Sequence, residues 1–323
     1  MLRRQRTLVF VAVVLALVFS KPAVWALPQA ASDDVRVQKN VPYGEVDGVK
    51  LLMDVYLPKT VAGKHPGIVL VHGGAWIGGD KIFYADIGKA FAKHGYDAFS
   101  VNYRLAPKFH YPAQLDDVQR AVRFLRAHAA DYDLDPQRIG AMGDSAGGYL
   151  VAFLGLCDTR DNSDPTLANY SSKVQCVVDF YGPTDFTIPP EQAHLNAFTS
   201  KRYTISPSLP PGHQTFETHL DTIVTNILTM FLGKKPGEDP ALYREASPVV
   251  YASKAAPPFL ILQGTADTLV PPDQSERLYD ALHKAGANVT LLLAYGLPHA
   301  FLSPQPDLYF DIAEGFFDRY LKP

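Results

Sequence analysis

Ser145 stands at the centre of Gly143-Asp144-Ser145-Ala146-Gly147. Strand-like residues from Arg138 to Met142 precede it, and Tyr149-Leu150-Val151-Ala152-Phe153-Leu154 follow in a pattern suited to a buried helix. Strand, tight turn and helix form the setting in which Gly-x-Ser-x-Gly presents a nucleophile. A serine on so sharp a turn needs small neighbours. Gly143 and Gly147 remove the Cβ atoms that would meet the turn and the adjoining strand. The Ser145 hydroxyl then projects above a sheet, at the start of a helix whose first N–H groups are free to stabilise a developing oxyanion. The competing explanation is a glycine-rich loop without chemistry, because the motif alone is only moderately specific.

A serine hydroxyl at neutral pH needs a base, and the base needs an orienting acid. Among the ten histidines, His299 has the position for it. It follows the strand-like run Val289 to Leu293, sits in Gly296-Leu297-Pro298-His299-Ala300-Phe301 and precedes the last helix. Loops at the carboxyl edge of an open parallel sheet are where such sites form. His94, His128 and His283 fall on or at the ends of helices. His65, His194, His213 and His219 fall in loops or in an insertion, and His110, after a strand, is a competitor. For the acid, Ile261-Leu262-Gln263-Gly264-Thr265-Ala266-Asp267 places Asp267 after the strand between serine and histidine. Asp273 reads as a helix cap. Asp185, after the preceding strand, is a second competitor.

The oxyanion needs backbone N–H groups aimed at one point. Ala146 supplies one. His72-Gly73-Gly74-Ala75-Trp76, after another buried strand, can supply the others, with Gly74 and Ala75 preferred and Gly73 possible. A phosphate loop is a poor alternative, since neither the Walker pattern nor Gly-x-Gly-x-x-Gly occurs. Trp76, Tyr181 and Phe301 lie beside these loops in sequence. They either line an acyl or aromatic pocket or are packed core.

The elements that must carry these loops alternate. A hairpin is expected over Val41 to Tyr56 around Asp47-Gly48, after a polar leader from about 27 to 38. Buried strands are expected at Pro66 to His72, Asp97 to Tyr103, Val174 to Tyr181, Phe259 to Leu262 and Val289 to Leu293. Helices are expected over Asp80 to His94, Tyr111 to Asp131, Asp273 to Ala285 and Pro306 to Leu321. The second of these carries Leu115, Val118, Val122 and Leu125 on one face. Alternation of this kind means an α/β fold with a mostly parallel sheet. From about Phe186 to Tyr243 the rhythm breaks into a proline-rich stretch with one helical patch, His219 to Leu232. An insertion of this size reads as a lid or cap over the site.

With 323 residues, 47% of them hydrophobic, the chain is long enough for a sizeable core. A formal net charge of -3, with scattered Lys and Arg, gives no footprint for nucleic acid. No metal-binding pattern occurs and no cofactor is expected. The first 26 residues have the three parts of a secretory signal: basic Leu2 to Arg6, apolar Leu8 to Phe19, and small residues suited to cleavage after Ala26. The expected protein is therefore exported, secreted or periplasmic, with no stable membrane partner after cleavage. An uncleaved anchor is the alternative, but the apolar run is short for a span. Export permits a disulfide between Cys157 and Cys176, and two buried free thiols are the equal alternative.

Taken together, His72 to Trp76, Asn102 to Pro107, Gly143 to Gly148, Gly264 to Pro271 and Gly296 to Phe301 resemble the α/β-hydrolase esterases and lipases related to hormone-sensitive lipase. The branch resembled has His-Gly-Gly-x-Trp, as in carboxylesterases and feruloyl esterases. The resemblance spans the chain from about residue 40. It implies an α/β-hydrolase domain over 27–323, with an eight-stranded, mostly parallel sheet, helices on its faces and a cap near 186–243. It also implies a Ser145, Asp267, His299 triad and an oxyanion hole at Gly73, Gly74, Ala75 and Ala146. Ala75 occupies a position where glycine is frequent in relatives. Short-chain or plant-cell-wall esters, acetyl or feruloyl, are the implied substrates, small or polysaccharide-linked. An arylformamidase-like amidase, a serine peptidase of the same fold and a non-catalytic binding protein are the alternatives.

Overall fold

A computed structural model describes residues 34–59, 61–189, 213–301 and 306–322. The strands are β1 (Val35–Val46), β2 (Val49–Pro58), β3 (His65–Val71), β4 (Asp97–Val101), β5 (Leu134–Asp144), β6 (Cys176–Phe180), β7 (Phe259–Gly264) and β8 (Val289–Ala294). The helices are α1 (Ala85–Lys93), α2 (Ala113–Ala127), α3 (Ala146–Leu156), α4 (His213–Leu232), α5 (Pro240–Glu245), α6 (Pro272–Ala285) and α7 (Pro306–Leu321). The strands form a single eight-stranded sheet in the order β1-β2-β4-β3-β5-β6-β7-β8. β1 and β2 run antiparallel to their neighbours, and every pair from β4 to β8 is parallel. This is the α/β-hydrolase architecture.

The order of the strands explains where a site can form. From β3 the chain crosses to β4 on one side, then to β5 on the other. The carboxyl ends of β3 and β5 therefore flank the point at which the winding reverses, which leaves a crevice between the loops that leave them. β3 and β5 are in register with Val71 opposite Gly143. The loop after Val71 and the turn after Gly143 consequently start side by side.

Both faces of the sheet are covered. α2, α3 and α6 bury one face, with Leu115, Val118, Val122 and Leu125 all inside. α1 and α7 bury the other through Ile87, Phe91, Phe310 and Phe317. Each such side chain contributes roughly 1.5–3 kcal/mol on burial. α3 is buried along its whole length, as its apolar sequence requires.

Three elements differ from the sequence expectation. β1 begins at Val35, inside the expected polar leader. It is an edge strand whose side chains are exposed or half-buried, Tyr43 apart, so Arg36, Gln38 and Lys39 can sit in it without full burial. The helix expected over Asp80 to His94 is a short 3-10 turn, Lys81–Tyr84, followed by α1. Asp80 caps that turn, its carboxylate accepting the Ile82 N–H at 2.8 Å. The helical patch of the insertion begins at His213, earlier than expected. The signal segment and residues 190–212 of the insertion lie outside the described residues. Cys157 and Cys176 are free thiols.

Candidate active site

Ser145 joins β5 to α3 in a conformation that side-chain-bearing residues rarely adopt, with φ 52° and ψ −118°. Such strain persists only where the surroundings impose it. They do so here through contact. A Cβ on Gly147 would lie 2.0 Å from the Val71 carbonyl oxygen, and one on Gly143 would lie 2.5 Å from Gly147. The Ser145 N–H donates to the Phe180 carbonyl at 2.8 Å, which ties the turn to the end of β6.

The loop after β8 brings His299 over this turn. Its Nε2 lies 3.0 Å from the Ser145 hydroxyl oxygen, and its Nδ1 lies 2.7 Å from Asp267 Oδ2. Asp267 follows β7 and is only 1% exposed. Its other oxygen accepts the N–H groups of Leu269 and Val270 at 3.0 and 2.9 Å. Gln263 donates to Oδ2 at 3.2 Å and is itself held by the Ser275 hydroxyl at 2.8 Å. The carboxylate is thus locked in place, and the imidazole follows it. Burial works to lower the pKa of His299. The charge and hydrogen bond of Asp267, with the charge of Asp144, outweigh it and hold the ring above its ordinary 6.5.

The competing residues are not bonded to His299. Asp185 lines the same cleft as Ser145 but accepts the Thr187 N–H at 3.0 Å. Asp273 pairs with Arg277 Nε at 3.2 Å, and His110 donates to the Met230 carbonyl at 2.8 Å.

The loop after β3 turns back through left-handed backbone: φ is 118° at Gly74, 54° at Ala75 and 60° at Trp76. Successive residues of this kind point their N–H groups the same way. Those of Gly74 and Ala75 have no acceptor among the described residues. Ala146, first residue of α3, carries an N–H the helix cannot pair. Gly73 differs. Its N–H is taken by Asp144 Oδ1 at 3.0 Å. His72 supports the loop from beneath. Burial pushes its pKa down to about 4, so the ring is neutral and Nδ1 donates to the Gly73 carbonyl at 2.8 Å. The ring stacks on Tyr103 at 4.4 Å, and the Tyr103 hydroxyl donates to the His72 carbonyl at 3.0 Å.

A cleft enclosing about 660 Å³, its open mouth included, lies against Ser145. Ala75, Trp76 and Ala146 line it beside the serine. Phe186 and Ile188, then Val224, Ile227 and Leu228 of α4, and Leu269 to Pro271 complete a mainly apolar wall. Trp76 stacks on Phe231 of α4 with centroids 4.1 Å apart. The Phe231 carbonyl accepts the Tyr111 N–H at 2.8 Å. Of the three expected pocket residues, Trp76 is therefore on the cleft. Tyr181 and Phe301 are not. Both are buried behind His299, whose ring meets Tyr181 edge-on at 4.9 Å, with Phe301 5.1 Å further on. They back the imidazole instead of facing a ligand, because the left-handed Tyr181 backbone (φ 44°) turns the ring into the core. Among the described residues no group of three or more His, Cys, Asp or Glu could hold a metal ion.

Comparison with known proteins agrees with this architecture. The BD-FAE family model matches residues 53–282. The chain belongs to the BD-FAE family of α/β-hydrolase esterases. Esterase LipQ of Mycobacterium tuberculosis is similar, with 30% identity over 77% of this chain and 53% of its own length. Isoprenylcysteine alpha-carbonyl methylesterase ICME of Arabidopsis thaliana is 26% identical over 84% of this chain and 58% of its own. The chain spans about half the length of the curated relatives it matches. Among solved structures, a truncated carbohydrate esterase from gut microbiota superposes with a TM-score of 0.70 at 28% identity, covering 91% of this chain and 99% of that one. A thermophilic esterase of Thermogutta terrifontis gives a TM-score of 0.68 at 24% identity, over 90% and 96% of the two chains. That second likeness is one of fold. The BD-FAE match ends at residue 282, so it covers Ser145 and Asp267 but stops short of His299.

The residues that sequence reasoning passed over are Asp144 and Tyr84. Each is hydrogen-bonded to a partner distant in the chain. The only local signal was the position of Asp144 inside the serine motif.

Proposed function

We propose that this chain is a carboxylic ester hydrolase that works by two-step acyl transfer. His299 takes the proton as Ser145 attacks the ester carbonyl. Asp267 holds the imidazole in the tautomer with Nδ1–H and stabilises the imidazolium that forms. The Gly74, Ala75 and Ala146 N–H groups stabilise the oxyanion, Gly73 serving the loop instead. The alcohol leaves with the proton from His299, and water repeats the cycle on the acyl-enzyme. One observation carries this: a single imidazole lies within hydrogen-bond reach of a strained serine on one side and a buried carboxylate on the other.

The apolar cleft suits the acyl part of a short-chain or aromatic ester. The likeness to a carbohydrate esterase supports sugar-linked acetyl or feruloyl esters as the natural class. The N-terminal segment supports an exported protein cleaved after Ala26, which N-terminal sequencing of the mature chain would check. For the reaction, Ser145→Ala is assayed against wild type on p-nitrophenyl esters, methyl ferulate and acetylated xylan. Turnover is expected to fall by roughly four to six powers of ten with folding intact, and fluorophosphonate labelling to vanish. Wild-type turnover in the variant would refute the assignment.

A further inference from the structure

Asp144 precedes the serine, and the steps of acyl transfer give it no task. It is nonetheless where the two halves of the site meet. Its Oδ1 accepts the Gly73 N–H at 3.0 Å and the Tyr84 hydroxyl at 2.8 Å. Gly73 opens the loop after β3, and Tyr84 ends the 3-10 turn that follows it. One carboxylate oxygen therefore closes both ends of the segment that carries Gly74 and Ala75. The loop is pressed hard against it. A Cβ on Gly73 would lie 2.5 Å from Asp144 Oδ2 and 2.9 Å from the Asp144 carbonyl oxygen.

A neutral acceptor would hold the loop equally well, but a carboxylate also projects charge. Facing it are His299 and the phenols of Tyr84, Tyr103 and Tyr181. Burial is the largest influence on all four; the Asp144 charge adds to it in the phenols and opposes it in His299. The other groups against the imidazole are Asp267, the Ser145 hydroxyl and the Tyr181 ring. Burial raises the carboxyl of Asp144 itself above the ordinary 3.8, while the bonds from Tyr84 and Gly73 and the charge of His299 pull it back. Two donors on one oxygen favour the ionised form.

Resting on the acyl-transfer reading, we propose that Asp144 is a positioning residue that clamps the oxyanion loop to the serine turn and gives the imidazolium of His299 a second negative charge, after that of Asp267. The two parts separate by substitution. Asp144→Asn keeps an acceptor for Gly73 and Tyr84 and removes the charge. Asp144→Ala removes both.

The measurement is the pH profile of kcat/KM on a p-nitrophenyl ester. In Asp144→Asn the acid limb, which reports protonation of His299 in the free enzyme, moves down by roughly 0.5–1 pH unit. Its plateau stays within roughly threefold of wild type, since the donors to Oδ1 keep their acceptor. In Asp144→Ala the plateau falls roughly 10- to 100-fold below that of Asp144→Asn, as a displaced oxyanion donor would make it. An acid limb of Asp144→Asn at the wild-type pH overturns the proposal, and so does an Asp144→Ala plateau no lower than that of Asp144→Asn. Should Asp144→Ala not fold, the limb of Asp144→Asn decides alone. Ser145→Ala is measured alongside. If it turns over like wild type, acyl transfer itself is wrong. If it is inactive and the Asp144→Asn limb stands still, only the role of Asp144 fails.

Discussion

Asp179 lies within β6 and is 0% exposed. One carboxylate oxygen accepts the Gly182 N–H at 2.9 Å, and the other has no partner among the described residues. Burial pushes the carboxyl from 3.8 up to about 7, with the Gly182 bond opposing it. In the unfolded chain the group titrates near its ordinary value. Between those limits the folded protein keeps a proton that the unfolded chain has released. Stability therefore falls as pH rises from about 4 to about 7, and above that the full penalty is present. A difference of about three pH units is worth about 4 kcal/mol. Asp179→Asn removes the charge and keeps the acceptor for Gly182, but strands an amide N–H pair at a cost of roughly 1–3 kcal/mol. The variant is expected to be more stable than wild type by roughly 1–3 kcal/mol at about pH 8 and to lose that advantage at about pH 5. Urea denaturation at a series of pH values, with m unchanged between the two proteins, measures this directly. A variant less stable than wild type by the same amount at both pH values would show that the fold does not penalise the charge on Asp179.

Asp267→Asn leaves the shape of the site but loses the charge that holds the Nδ1–H tautomer, so kcat on a p-nitrophenyl ester should fall by about 10⁴. Because His299 is held above its ordinary 6.5, the acid limb of wild-type kcat/KM should have its half-maximum above that pH; a half-maximum well below pH 6 would contradict the Asp267 pairing. Gly147→Ala sets a methyl 2.0 Å from the Val71 carbonyl, and neither backbone can yield. Its expected cost is more than about 3 kcal/mol in thermal or urea denaturation. Leu228→Trp fills part of the cleft from α4. It should raise KM for octanoyl or feruloyl esters roughly tenfold or more and leave acetyl esters near wild type, which a p-nitrophenyl ester series resolves.

Ser145, Asp267 and His299 were legible because each follows an apolar strand in a short loop, and their order along the chain matches the order of strands that bring such loops together. The parallel sheet was legible for the same reason: β3, β4, β6 and β7 are buried on both faces and so read as mostly apolar runs, broken by a few polar residues such as Asp97, Ser100 and Asp179. β1 was not, since an edge strand with exposed side chains has the composition of a polar tail. Gly73 looked like a donor to the oxyanion, and only the pairing of Val71 with Gly143 shows why Asp144 takes its N–H instead. Tyr181 and Phe301 stand beside the site in sequence, but which way a ring turns depends on backbone angles that residue type does not reveal. The bond of Asp144 to Gly73 joins residues 71 apart, and no periodicity or local motif records a contact at that range.

The stacked pair of Trp76 and Phe231 places one ring of the loop after β3 against one ring of the helix that walls the cleft. If that loop holds the oxyanion as proposed, substrate breadth and turnover are joined mechanically. A substitution at Phe231 that widens the acyl chamber also slackens the turn that must meet the negative charge, while changes at Val224 or Ile188 alter the chamber and spare the turn. Laboratory evolution toward bulkier esters should therefore collect its first gains at Val224 and Ile188, and tolerate change at Phe231 only once another aromatic has taken up its seat.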